Sequence, residues 1–239
     1  MPVPGCYDAQ VEIDWAMRGL LVEILIEIHH EFRLQEATLF LAVNILDRYC
    51  SRQPIKGDEL LLVGCVALFV AAKFRETQDR QPALGSFVSA CEEHYSIEDF
   101  TTLEGKLLHA LDWTVDHPDV CTFICTTLAG TPSAARLEHL SIFIAETMLF
   151  QRQYMETRPS HIAQSARALA EYIVEYVSPS SVSPKILDRQ EFSHIYNLLA
   201  KPREVLIHKY ASSNMSKAYL KAVMCLCLVK VDSMLYMCL

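Results

Sequence analysis

Hydrophobic positions recur at helical spacing from Trp15 onward. Met17, Leu21, Ile24 and Ile28 share one predicted face, widened by Leu20, Leu25 and Phe32. Glu23, Glu27 and Glu31 line the other side. Like charges at that spacing repel, which assigns the acidic stripe to solvent or to a basic partner. A second helix is expected from Glu36 to about Cys50, with Leu39, Val43, Leu46 and Cys50 in register; Pro54 and Gly57 end it. The third covers "LLLVGCVALFVAAKFRET". Leu60 to Ala72 carry no polar side chain, so this helix is apolar all round and belongs at the centre of a bundle. Gly64, Ala67 and Ala71 give it a narrow face for close approach by a neighbour. The run then stops at a cation, Lys73.

A short helix is expected over Leu84–Glu92. Ser96 and Asp99 have the spacing of a capping box, opening a helix over about Ile97–Leu111. Glu104 sits on its apolar stripe with Leu108 and Leu111, a carboxylate of the right sign for Lys73. "DWTVDHPDV" reads as a linker, with Pro118 suited to the first turn of the next helix. Further helices are predicted at roughly 118–129, 134–151, 160–177, 188–199 and 202–211. The pattern is five helices, a linker and five helices again, an all-α chain.

Composition narrows the function. The 239 residues suffice for one large domain or two of about 100–120. Seven glycines are too few for tightly turned β architecture. A net charge of −8 argues against a protein devoted to phosphate backbones, so no nucleic-acid partner is expected. The longest apolar run falls short of the roughly 20 residues of a membrane span, so no membrane partner is expected either. Nine cysteines without a secretory signal read as reduced thiols of the cytosol or nucleus. His29 and His30 face different directions, and neither Cys121 with Cys125 nor Cys225 with Cys227 has companion ligands at zinc spacing. No nucleotide cradle or nucleophile motif is present, so no cofactor, metal or catalytic residue is expected. Thr131-Pro132, Ser178-Pro179 and Ser183-Pro184 are minimal proline-directed phosphorylation sites.

"MRGLLVEI", "TLFLAVNILDRY", "LLLVG", "AAKF" and "LEGKLLHALDW" together resemble the cyclin box, in order and spacing, over residues 17–113. Five positions characteristic of that family are filled here by Arg18, Asp47, Leu62, Lys73 and Glu104. "YSIEDFTTLEGKLLHALDW" looks most like the fungal Cln-type cyclins that act before S phase. The resemblance implies two tandem five-helix cyclin folds: an N-terminal segment at 1–14, a cyclin box at 15–115, a C-terminal cyclin fold at 116–213, and a tail at 214–239. It implies a non-catalytic subunit that binds and activates a cyclin-dependent kinase in the nucleus and cytoplasm, promoting entry into division. The alternative is a cyclin-fold protein of transcription, with a transcriptional kinase or as a TFIIB-like module.

By resemblance, Lys73 and Glu104 pair and meet the kinase backbone, beside a pocket of Val70, Phe74, Leu108, Trp113 and Val115. Arg18 and Asp47 pair inside the box, and Leu62 is core. A substrate-docking patch corresponds to Met17, Leu20, Leu21, Ile24, Glu27 and Leu61. Ile24 replaces the usual tryptophan of that patch and Leu61 the usual glutamine, so a more apolar docking motif is expected. Arg75 stands where many cyclins carry an acidic residue.

Overall fold

A computed structural model describes residues 1–3, 5–92, 94–128, 134–177 and 189–211. Over these the secondary structure is helical, and the chain divides into two compact units between Asp119 and Val120. In the first unit, helices α1 (Trp15–Glu31), α2 (Glu36–Cys50), α3 (Leu60–Arg75), α4 (Leu84–Ala90) and α5 (Ile97–Ala110) follow in order, with a 3-10 turn at Gly57–Glu59. In the second come α6 (Val120–Leu128), α7 (Ala134–Met148), the short α8 (Arg152–Met155), α9 (Pro159–Val177), α10 (Arg189–Leu199) and α11 (Glu204–Tyr210).

Helix α3 is the axis of the first unit, with α1, α2, α4 and α5 packed on it. From Leu62 to Ala72 every residue is buried, as expected of a helix with no polar face. At Gly64 α1 approaches closely: a Cβ there would lie 2.6 Å from Leu21 Cδ1. The α5 capping box forms as its spacing predicts: Ser96 Oγ accepts from the Asp99 N–H, and Asp99 accepts from the Ser96 N–H at 2.8 Å.

Two expectations for α1 need correction. Its buried stripe is Arg18, Leu21, Val22, Leu25, Ile26, Ile28 and His29, whereas Leu20 and Ile24 face outward. The helix carries apolar residues on several sides, so hydrophobicity alone does not locate the inward face. A charged residue sets it. Arg18 is buried because Asp47 of α2 meets its guanidinium twice, Nε to Oδ1 and Nη2 to Oδ2, both at 2.8 Å. The segment before α1, unassigned in the sequence reading, closes this centre. The Tyr7 hydroxyl donates to Asp47 Oδ1 at 2.8 Å, and the Arg18 guanidinium lies over the Trp15 and Tyr7 rings. Burial alone would depress the Arg18 pKa, but the adjacent carboxylate holds it above the ordinary arginine value.

The second unit centres on α7 and α9, with α6 against both and α10 and α11 on α7. It has its own buried ion pair: Lys209 Nζ donates to Glu146 Oε1 at 2.5 Å, joining α11 to α7. Boundaries shift modestly from the sequence reading. Helix α4 stops at Ala90 because Glu92 turns left-handed (φ 52°). Pro118 precedes α6 instead of entering its first turn, and α7 ends at Met148, before the unforeseen α8. The three proline-directed sites, Ser212, Ser213 and the tail 214–239 lie outside the described residues.

Truncating one member of a buried charge pair typically costs about 3–5 kcal/mol. Arg18→Ala should lose that much in urea unfolding of the full chain. Tyr7→Phe should lose about 1.5–3 kcal/mol, the usual contribution of a hydrogen bond to a charged group, since Arg18 still bonds the shared oxygen. A loss for Arg18→Ala no larger than the ~0.5 kcal/mol of an ordinary surface change would show that α1 is held by something else.

Candidate functional site

The last turn of α3 reaches the surface where the middle of α5 passes it. Lys73 Nζ donates to Glu104 Oε1 at 2.5 Å, and the ammonium stands 4.9 Å from the Phe69 ring centroid. Lys73 is 46% exposed and Glu104 16%, so the pair sits at the rim of the fold. Phe74 and Trp113 are 49% and 70% exposed, a large apolar area beside a polar pair. Val70 is buried, while Leu108 and Val115 are half-buried. Helix α3 therefore supplies Val70, Lys73 and Phe74; α5 supplies Glu104 and Leu108; the turn after α5 supplies Trp113 and Val115.

The supporting residues were not foreseen. Glu76, one turn past Lys73, points inward and is buried. It accepts from the Gln35 N–H (2.7 Å) and the Thr38 hydroxyl (2.6 Å). Gln35 offers no side-chain cap of its own to α2, so a carboxylate from α3 satisfies that helix start and complements its positive end. Gln81 Nε2 then donates to the carbonyls of Lys73 and Glu76. The only advance signal was a glutamate closing an apolar helix, a position that normally reads as solvent.

The turn bearing Trp113 is braced in a similar way. Asp112 and Trp113 both adopt left-handed backbone (φ 53° and 57°), a conformation that costs an L-residue about 1–2 kcal/mol. The Trp113 N–H donates to the Leu108 carbonyl at 2.9 Å, closing α5. From α2, Arg48 Nη2 donates to the Thr114 carbonyl at 2.6 Å, and Arg52 Nη1 donates to the Ala110 carbonyl and to Asp112. Arg52 thus meets the negative end of α5, and Arg48 holds the turn that follows it. Burial, together with the charge of Arg52, presses the Arg48 pKa below its usual value. Arg75 bends back onto its own chain: its Nη2 approaches Asp119 (3.3 Å) and Asp116 (3.4 Å) and donates to the His117 carbonyl (3.1 Å).

The docking-patch positions fall on and near α1. Leu20, Ile24 and Glu27 are exposed, and Met17 and Leu61 are half-buried. Leu21 belongs to the core beneath them, against Gly64. Among the described residues no His, Cys, Asp or Glu cluster forms a metal centre, and no helix is long and apolar enough to cross a membrane.

A buried Arg–Asp tie between the first two helices, an apolar third helix and a Lys–Glu pair at its exit define a class of helical protein built around a cyclin box. The "Cyclin, N-terminal domain" family model matches residues 1–116, ending close to the boundary of the first unit. The chain belongs to the cyclin family. It is 31% identical over 237 residues to the G1/S-specific cyclin CCN1 of Candida albicans (strain WO-1), covering 90% of this chain and 32% of that protein. It is 35% identical over 164 residues to Cyclin-B1-1 of Oryza sativa subsp. japonica, covering 66% of this chain and 36% of that one. The chain thus spans about a third of the length of these relatives. In fold it is similar to a viral cyclin from herpesvirus saimiri, with a TM-score of 0.65 at 15% identity, covering 92% of this chain and 90% of the other.

Left-handed backbone at Trp113 closes α5, a role that glycine fills with less strain than an exposed tryptophan. Trp113→Gly should therefore leave the thermal midpoint of the isolated chain unchanged or slightly higher, because relief of strain outweighs the roughly 0.5–1 kcal/mol entropic penalty of glycine. A clear fall in midpoint would mean that the indole is a packing residue.

Proposed function

We propose that this chain is the non-catalytic regulatory subunit of a cyclin-dependent protein kinase, acting in the nucleus and cytoplasm to promote entry into the division cycle. The observation that carries this reading is the Lys73–Glu104 pair at the rim of the fold, with the exposed Phe74 next to Lys73 in the chain and the exposed Trp113 in the turn after α5. A kinase helix packed here offers unsatisfied backbone groups at its end to the polar pair and an apolar side chain to the surface around it. Pressing that regulatory helix inward completes the kinase's own Lys–Glu pair and favours an ordered activation loop. The chain contributes a rigid template and performs no chemistry itself. The G1/S name of one similar protein supports the earlier of the cyclin stages, and the G2/mitotic names of others, matched over 91% and 92% of the chain, support the family role at large.

In the free chain, solvent reaches Lys73, and an exposed pair contributes only about 0–1 kcal/mol to the fold. In the complex the same pair is desolvated, and truncating one member costs about 2–5 kcal/mol. Lys73→Ala and Glu104→Ala should each weaken kinase binding by roughly 30-fold or more, since each 1.4 kcal/mol is tenfold. Their thermal midpoints should stay near that of the parent, and the double variant should lose little more than either single. Calorimetric titration of the kinase subunit, beside melting of each free variant, makes the comparison. Unchanged affinity in both single variants would sink the interface.

We further propose that the outer face of α1 recruits substrates, through Met17, Leu20, Ile24 and Glu27 with Leu61 of α3, above the buried Leu21. The exposure of Leu20 and Ile24 supports this. Ile24→Trp should alter the ranking of docking peptides in competition assays with kinase affinity unchanged. An unaltered ranking, or lost kinase binding, would refute the assignment.

A further inference from the structure

Among the described buried thiols, Cys6 and Cys50 lie near Ser51, Tyr7, Asp47 and Arg18, and burial is the largest influence on both. Burial pushes the Cys50 pKa up to about 12 and also raises that of Cys6. Cys65 and Cys91 differ. Cys65 lies in the interior of α3, and Cys91 is the residue that caps the end of α4. Both are buried and both are free, and their sulfurs stand 3.2 Å apart in a thiol–thiol hydrogen bond. The contact polarises the pair: it lowers the pKa of Cys91 and raises that of Cys65, so Cys91 carries the greater thiolate character.

Access comes from the α4 side. That helix has seven residues and a single fully buried side chain, Phe87, and the chain turns left-handed at Glu92 immediately after Cys91. A short element with so little buried surface opens at a much lower free energy than the core. Opening α4 uncovers Cys91 while Cys65 stays on the rigid central helix.

We propose that Cys65 and Cys91 form a reversible intramolecular disulfide on exposure to hydrogen peroxide, a modification site that ties α4 to α3. Cys91 thiolate attacks one peroxide oxygen; the O–O bond breaks and the departing hydroxide takes a proton, leaving Cys91 sulfenic acid and one water. When α4 recloses, the Cys65 sulfur attacks the Cys91 sulfur, the S–O bond breaks, and the leaving hydroxide takes the Cys65 proton as the second water. Two thiols are oxidised by two electrons in all, and one peroxide is reduced to two waters. Transient oxidation of this kind suits thiols that are otherwise kept reduced. The bond closes the chain between residues 26 apart. That loop contains Lys73, Glu76 and Gln81, so the link restrains opening of the segment that supports Lys73. The inference does not depend on the kinase reading.

The sequence allows a direct test, because trypsin isolates each cysteine. Cys65 falls in the peptide Gly57–Lys73 and Cys91 in Gln81–Lys106, and neither peptide holds another cysteine. The full chain is treated with stoichiometric hydrogen peroxide, blocked with an alkylating agent under denaturing conditions, and digested without reductant. The expected product is the two peptides joined, lighter by two hydrogen atoms than their sum and separated again by dithiothreitol. In Cys65→Ser the reaction should stop at a Cys91 sulfenic acid that dimedone captures. Oxidation should raise the thermal midpoint of the parent chain and leave that of Cys91→Ser unchanged. The parent digest alone decides the matter if a variant fails to fold. Recovery of both peptides fully alkylated, or crosslinks of Cys91 to other cysteines in place of Cys65, would overturn the proposal.

Discussion

The Arg18–Asp47 pair is the constraint on which the first unit depends. A guanidinium cannot shed its charge in a protein, so burying it requires a carboxylate at a fixed place and angle. Asp47 answers with two parallel hydrogen bonds, and its shared oxygen also accepts from Tyr7. Three stretches of chain are thereby fixed at one point: the N-terminal segment, α1 and α2. Sliding α1 by one residue would break both bonds and strand a charge in apolar surroundings, at a cost of several kcal/mol. The register held in this way sets Leu21 over Gly64, which in turn determines how closely α1 lies on α3.

The rigidity passes along α3 to its exit, where successive polar residues diverge. Glu76 turns inward to cap α2, and Arg75 turns back to Asp116 and Asp119. Lys73 alone of these three reaches outward, toward Glu104. Across from it, Arg52 holds the last carbonyl of α5 and Arg48 the carbonyl of Thr114, on either side of the left-handed turn at Asp112 and Trp113. The exposed Trp113 therefore rests on a turn hydrogen-bonded from a second helix, and Phe74 lies between two carbonyls, of Lys73 and Glu76, that the Gln81 side chain holds. Such support limits the conformational entropy that the proposed kinase-facing surface would lose on binding, which is the advantage of preorganisation.

Local signals were legible in the sequence and distant pairings were not. The Ser96–Asp99 capping box is complete within four residues, and the apolar run of α3 has no polar face to turn to water, so both could be read from one stretch of chain. The Arg18–Asp47 and Lys73–Glu104 pairs came through family resemblance, since partners 29 and 31 residues apart leave no mark in periodicity. Tyr7, Glu76 and the pair Glu146–Lys209, whose members lie 63 residues apart, had neither kind of signal. The face of α1 was misjudged for a physical reason: charge pairing oriented a helix that hydrophobicity left nearly degenerate. Helix α8 escaped notice because four residues are too few to show a period.

Lysine and arginine ion pairs of the described residues share similar chemistry and differ in burial. Arg18–Asp47 and Glu146–Lys209 are closed to solvent, whereas Lys73–Glu104 stands at the rim. Closed pairs add little net stability over a well-packed apolar substitute, but they penalise every register in which they fail to meet. That property matters in helices as apolar as α1 and α7, where many displaced packings would bury similar hydrophobic area. The rim pair has the opposite balance. Water screens its attraction in the free chain, so the fold gains little from keeping it. Its full electrostatic strength emerges only when another surface excludes that water. A pair retained at the rim, on a braced support and beside exposed aromatic rings, is thus better explained by a partner than by the stability of the chain that carries it.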